Sequence, residues 1–169
     1  MIVQTLSLSI IFKFMTSKTP IVAILENIRS LHNVGAIFRT ADASNIERIY
    51  LCGYTGIPPR KEITKTALGA EEYVEWVHDP DIISVISTLQ KGGYEIIALE
   101  KTADSRNILD IKKYKSPIAI IVGNEIEGIS EAVLNISDKV LHIPMLGKKE
   151  SLNVSTAFGI GVYQILNKI

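Results

Sequence analysis

The sequence predicts an α/β fold in which a mostly parallel sheet carries covering helices, and three observations predict it. From Pro20 onward short apolar runs alternate with amphipathic stretches, the order expected of strands and crossover helices. Several runs are continuously apolar and rich in Ile and Val, as strands buried on both faces are. The length of 169 residues suits one hydrophobic core, since single cores organise roughly 100–200 residues.

The chain opens with MIVQTLSLSIIFKFMTSKTP, an apolar run interrupted by Lys13. It is too short to span a bilayer and lacks the basic start and small-residue cleavage site of a signal peptide. Residues 1–19 are set apart as an N-terminal extension, read either as a disordered, peripheral arm or as residues ahead of a natural start at Met15. Residues 20–169 form the domain. Strands are expected at 21–25, 46–52, 73–77, 94–99, 118–122 and 140–143. Val34, Ile37, Phe38 and Ala41 recur at helical spacing behind Asn33, which suits an N-cap. Asp79 followed by Pro80 opens a helix to Gln90, and Gly92-Gly93 ends it. Another helix begins near Ser130. The last begins near Ser151, where Val154, Ala157, Phe158, Gly161, Val162, Ile165 and Leu166 form one stripe that should be buried. Gly159 and Gly161 weaken that helix, so another backbone is expected to pass close by, within the domain or across a dimer contact.

Composition excludes several classes. Apolar residues make up 47% and charged residues 21%, which rules out disordered and collagen-like chains. Lys plus Arg and Asp plus Glu both number 18, so any nucleic-acid partner must meet a local basic patch. The single Cys52 forms no intrachain disulfide and reads as a small buried residue near a strand end, in a protein of the reducing cytoplasm. His32, His78 and His142 are scattered without metal-ligand spacing, so no metal is expected.

Three clusters are more polar than packing requires. The first, from Glu26 to Thr40, follows the first strand. Gly35 lets something approach its helix closely. Arg29 lies in the loop, and Arg39 lies off the apolar stripe at the strand ends where open α/β folds bind ligands. A capped surface helix with solvated arginines is the alternative. The second, Ile120 to Ser130, is a strand running into a glycine-flanked acidic turn. It matches no phosphate-binding glycine motif, and its two carboxylates would repel a pyrophosphate. A cationic or hydroxyl-bearing ligand suits it better, with Glu125 the site candidate and Glu127 solvated. The third, Ile143 to Ser155, places Ser151 and Asn153 beside an Ile143-Pro144-Met145 wall. Either residue alone could cap the helix; both together exceed what a cap needs.

These clusters contain NIRSLHNVGAIFRTAD from Asn27, IVGNEIEGIS from Ile121 and IPMLGKKESLNVSTA from Ile143. In that order they resemble the three motifs of the SpoU (TrmH) family of RNA ribose 2′-O-methyltransferases, within the SPOUT class. The resemblance runs from Pro20 to the C-terminus. It implies a Rossmann-like sheet with a deep C-terminal trefoil knot, whose loops bind S-adenosylmethionine in a bent form. The implied cofactor contacts are Leu99, Glu100, Gly123, Ile143, Met145 and Leu152.

The resemblance also implies Arg39 as the catalytic arginine, with Asn33, Glu125, Ser151 and Asn153 completing the constellation. Arg39 acts either as general base once an RNA phosphate engages it, or as a clamp on phosphate and ribose while another group or water takes the proton. A free guanidinium is too basic to lose its proton readily, so both roles stand. Arg29, Arg60, Lys61, Lys65, Lys148 and Lys149 are the implied phosphate contacts. Family members are homodimers with the last helix at the interface. Without an appended domain, this chain is expected to recognise RNA through the catalytic domain alone or with a partner protein. Structured RNA is the expected substrate, tRNA first and rRNA next. Competing readings are a non-catalytic RNA-binding or assembly module on the same fold, and a non-RNA S-adenosylmethionine enzyme or small-nucleotide binder.

Overall fold

The computed structural model describes residues 18–169. The expectation for the N-terminal extension lies outside the described residues as far as residue 17, and the first strand starts at Thr19, two residues before the expected Ile21. Seven strands form one sheet in the order β3-β2-β1-β6-β4-β7-β5. They are β1 Thr19–Glu26, β2 Ile46–Cys52, β3 Glu75–Asp79, β4 Glu95–Leu99, β5 Arg106–Asn107, β6 Ile118–Val122 and β7 Lys139–His142. Every pairing is parallel.

The central strands explain why the sequence reads as unbroken apolar runs. Ile21, Ala23 and Leu25 of β1, with Ile118, Ile120 and Val122 of β6, enter one core. Val22 and Ile24, with Ala119 and Ile121, enter a second core on the other face. Side chains that alternate between two buried faces leave no position for a polar residue. Helices α1 (Leu31–Ala43), α2 (Lys61–Ala67) and α5 (Val154–Leu166) contribute to the first core. Helices α3 (Ile82–Lys91) and α4 (Glu131–Ile136) contribute to the second. Among the described residues no helix is long and apolar enough to cross a membrane.

Several boundaries differ from the sequence reading for local reasons. Ser30, not Asn33, is the N-cap of α1, and its hydroxyl accepts from the Asn33 N–H. The N-cap of α3 is Asp81, because Asp79 still pairs with Cys52 in the sheet and uses its carboxylate on the Asp81 N–H. Helix α5 starts at Val154 behind the cap Asn153 rather than near Ser151. Strand β3 begins two residues late, since the N–H groups of Tyr73 and Val74 are spent on Ala70 in a 3-10 turn. Helix α2 and strand β5 were not anticipated. The α5 stripe is buried at Phe158, Gly161, Val162 and Ile165. The backbone approach expected at Gly161 is a close approach of side chains in the same domain, for a Cβ there would lie 2.8 Å from Leu99 Cδ2 and 3.1 Å from Ile120 Cδ1.

The order also positions a site. From β1 the chain builds outward through β2 and β3 on one side, whereas β6, β4, β7 and β5 lie on the other. Ligands of open α/β sheets bind at the carboxyl ends of the strands flanking such a reversal. The turns after β1, β6, β4 and β7 all project there.

Candidate active site

The turn after β6 is built backward onto itself. A Cβ on Gly123 would lie 2.4 Å from the Gly128 carbonyl carbon, so only glycine lets the turn fold back this closely. Asn124 then takes the N–H groups of Ile126 and Glu127 on its side-chain oxygen, at 2.8 and 2.9 Å. Side-chain capping of a turn by Asn is a local preference, and here it presents Glu125 toward the turn after β1.

Glu125 accepts from the Arg29 N–H at 2.9 Å, the Ser30 N–H at 3.0 Å and Asn33 Nδ2 at 2.7 Å. Burial pushes its pKa up, but these donors together outweigh burial and hold it below the ordinary Glu value. Because Asn33 is the third residue of α1 rather than its cap, its side chain is free for this contact. Its oxygen accepts from Asn153 Nδ2 at 3.0 Å, while Asn153 caps α5 by accepting from the Ser155 N–H at 3.0 Å. Asn33 thus joins all three sequence clusters through two side-chain hydrogen bonds.

Beside this junction lies a cavity of about 770 Å³. Leu99, Glu100, Gly123, Ile143, Met145 and Leu152 all line it, as do Glu125, Ser151 and Asn153. Glu100 is fixed by the N–H groups of Lys101 and Ile129, at 2.9 and 3.1 Å. The walls combine aliphatic side chains with carboxylates and amides, the composition of a small-molecule site.

The structure does not bring every candidate to this place. Arg39 is exposed and does not line the cavity. It stands six residues beyond Asn33 on α1, and 100° per residue puts the two side chains about 120° apart around the helix. Arg39 instead neighbours Thr40, whose methyl would lie 3.8 Å from a Cβ on Gly159 of α5. Within one chain, Arg39 is therefore not among the residues that line the cavity with Gly123 and Ser151.

Arg29, Lys148 and Lys149 are exposed on turns around the cavity; Arg60, Lys61 and Lys65 are exposed on or beside α2. The element that approaches Gly35 is α2 itself: a Cβ would lie 2.1 Å from Thr66 Oγ1 and 2.3 Å from the Ile63 carbonyl oxygen. Sequence reasoning placed Glu26 and Asn124 in the polar clusters but gave neither a role: Glu26 is a buried carboxylate that accepts from the Ser130 N–H at 3.0 Å, and Asn124 braces the turn after β6. A charged residue ending an otherwise apolar strand was the available signal for Glu26.

The model of the SpoU rRNA Methylase family matches residues 20–163. A putative TrmH family tRNA/rRNA methyltransferase of Staphylococcus saprophyticus is 29% identical over 153 residues, covering 89% of this chain and 60% of that protein. The tRNA (guanosine(18)-2′-O)-methyltransferase of Thermus thermophilus is 32% identical over 141 residues, covering 83% of this chain and 71% of that one. In structure, the AdoMet-bound rRNA methyltransferase of Sinorhizobium meliloti superposes with a TM-score of 0.83 at 24% identity, over 89% of this chain and 57% of that chain. At that identity the likeness carries the α/β fold.

Proposed function

The chain belongs to the SpoU rRNA methylase family, and from that premise we propose that it methylates a ribose 2′-hydroxyl of structured RNA with S-adenosylmethionine as donor. The observation that carries this reading is the junction of Asn33, Glu125 and Asn153 at the cavity, which unites the three motifs at one point. We favour tRNA as substrate, with rRNA second.

The cavity suits the cofactor. Leu99, Ile143, Met145 and Leu152 offer an apolar wall for the adenine, and Glu100, Glu125 and Glu150 outnumber Lys101 among the charged lining residues, favouring a cation. When bound, S-adenosylmethionine supplies an electrophilic methyl group already activated by its sulfonium, so the protein's task is alignment and proton removal. Glu125 and Asn33 hold the β1 turn and α1 in register with the cavity. Ser151 and Asn153 shape the rim from the other side.

Arg39 engages the RNA phosphate and ribose, as base or as clamp. Its place outside its own cavity, on the helix whose Thr40 and Ala43 meet Gly159 and Tyr163 of α5, together with the 40% and 53% exposure of Ile160 and Tyr163, supports a homodimer in which α5 lies at the contact and Arg39 serves the partner's cavity. Arg29, Arg60, Lys61, Lys65, Lys148 and Lys149 receive backbone phosphates. The turns 123–130 and 143–153, facing each other across the cavity, are where we place the deep trefoil knot. We place the protein in the cytoplasm, where a buried free thiol such as Cys52 stays reduced.

The decisive experiment maps ribose methylation in tRNA and rRNA from cells with and without the protein, with calorimetry of S-adenosylmethionine binding alongside. Loss of one mark establishes the reaction and its nucleotide. Unchanged maps together with no cofactor binding would leave a non-catalytic RNA-binding module on this fold.

A further inference from the structure

We propose that Tyr54 is a stacking platform for an unpaired base of the RNA substrate, an inference that rests on the RNA methyl-transfer reading. Tyr54 follows β2 at the carboxyl edge of the sheet, on the turn next to the cavity. It is moored at both ends. Its N–H donates to Asn27 Oδ1 at 3.1 Å, and its hydroxyl accepts from Asn124 Nδ2 at 2.7 Å. Asn124 Nδ2 also donates to the Asn27 carbonyl at 2.9 Å, so the phenol is tied directly to the residue before Glu125.

The turn has no slack. Gly53 adopts φ +62°, and a Cβ there would lie 1.9 Å from Asn27 Oδ1, so this left-handed position admits only glycine. Despite this mooring, Tyr54 is 62% exposed. Its hydroxyl is engaged within the protein, so what faces solvent is the ring. An aromatic surface held in one orientation loses little entropy when a flat partner covers it.

The surroundings select that partner. Exposed Arg29 stands on the facing turn, its N–H bonded to Glu125; exposed Arg60 ends the loop that follows Tyr54, and exposed Lys61 opens α2 directly after it. Aromatic faces interspersed with cations bind unstacked nucleotides, the ring taking the base and the cations the phosphates. Tyr73 is more exposed, at 73%, but it precedes β3 and so lies at the opposite edge of the sheet. Tyr54 therefore favours a looped or flipped-out target over a base-paired one.

The test uses the full chain with radiolabelled S-adenosylmethionine and, as probes, unmodified tRNA transcripts and protein-free rRNA. Replacing Tyr54 by Leu is expected to raise KM for RNA roughly 5- to 150-fold, the range for losing one stacked base, with cofactor affinity unchanged. Tyr54→Phe and Tyr54→Trp, which keep a ring without the Asn124 bond, should retain near-wild-type KM. The inference is overturned if the Phe variant is as impaired as the Leu variant, if cofactor binding weakens in step with RNA binding, or if the Leu variant behaves as wild type. Wild-type protein that methylates neither RNA would overturn the functional reading itself, and this inference with it.

Discussion

Asn33 and Glu125, 92 positions apart in sequence, are joined by a 2.7 Å hydrogen bond from Nδ2 to Oε1. The same carboxylate receives the N–H groups of Arg29 and Ser30, so the start of α1 is held by a residue from the turn after β6, the strand paired with β1. A carboxylate at a helix N-terminus is also favoured by the helix dipole. One side chain therefore both stabilises α1 and sets the distance between the first two motifs.

Glu125→Gln is expected to cost about 0.5–1.5 kcal/mol at neutral pH, because the amide NH2 replaces an acceptor facing N–H donors at an exposed site. The pH dependence has a definite sign. The folded protein holds the Glu125 pKa below the ordinary 4.5, so its contribution is complete above that value and is lost as pH falls through the lowered folded-state pKa. Urea unfolding at neutral pH and in acid should show the gap between wild type and variant closing in acid. A gap of constant size would mean the carboxylate charge has no part in it.

Asn153 performs two separable tasks, capping α5 through its oxygen and reaching Asn33 through its nitrogen. Asn153→Asp keeps the cap but opposes an oxygen to Asn33 Oδ1. It should retain thermal stability while losing most methyl transfer. Asn153→Ala loses both, with a cap cost of about 0.5–2 kcal/mol. Melting temperatures and turnover of the two variants, measured together, distinguish the tasks; equal stability loss in both would refute the division.

The legible parts of this fold are those fixed by burial on two faces. Strands β2 and β6 lie at the expected residues because Ile49, Leu51, Ile118, Ile120 and their neighbours must point into one core or the other. Helix α2 was illegible because only Ile63 and Ala67 of its seven residues are buried, and its place is set by contact with Gly35. Strand β5 is two residues paired to Leu141 and His142, with no pattern of its own. At the site, the second and third motifs contain the lining residues Gly123, Glu125, Ile143, Met145, Ser151, Leu152 and Asn153, whereas Lys101, Thr102 and His142 lie outside any motif. The capping rules could not choose Ser30 over Asn33, since the deciding partner is Glu125. For Arg39, its helix was legible and its direction was not.

Gly123 and Gly147 provide a paired test of turn packing. A Cβ on Gly123 would lie 2.4 to 2.5 Å from the backbone of Gly128 and Ile129, whereas one on Gly147 meets nothing within 4 Å. Gly123→Ala should destabilise the fold by about 1–3 kcal/mol and weaken cofactor binding, while Gly147→Ala leaves both unchanged. Calorimetric titration of both variants checks this; tight cofactor binding by Gly123→Ala would mean the turn opens without consequence.

Cys52 ends β2 fully buried, and burial pushes its thiol pKa up to about 12. Almost no thiolate exists at pH 8, so iodoacetamide should modify the folded protein negligibly and the urea-unfolded chain readily. Mass spectrometry after timed quenching reads the difference. Rapid labelling without denaturant would show that the β2 end, and with it the turn holding Tyr54, opens locally.

Arg39 is exposed and, among the described residues, its side chain makes no hydrogen bond or ion pair, so its removal should change stability by less than about 0.5 kcal/mol. The proposed reaction nevertheless requires it. Arg39→Ala should bind S-adenosylmethionine like wild type, bind RNA more weakly and transfer no methyl group. Arg39→Lys should rescue little if the guanidinium clamps a phosphate through two parallel hydrogen bonds, which an ammonium cannot form. Mixing inactive Arg39→Ala chains with inactive Gly123→Ala chains then tests where the arginine works. If it reaches the partner's cavity, a mixed dimer pairs one intact cavity with one intact arginine, and activity returns to roughly a quarter of the wild-type level for random pairing with one restored site in half the dimers. No recovery in demonstrably mixed dimers would place Arg39 at its own cavity after a rearrangement of α1.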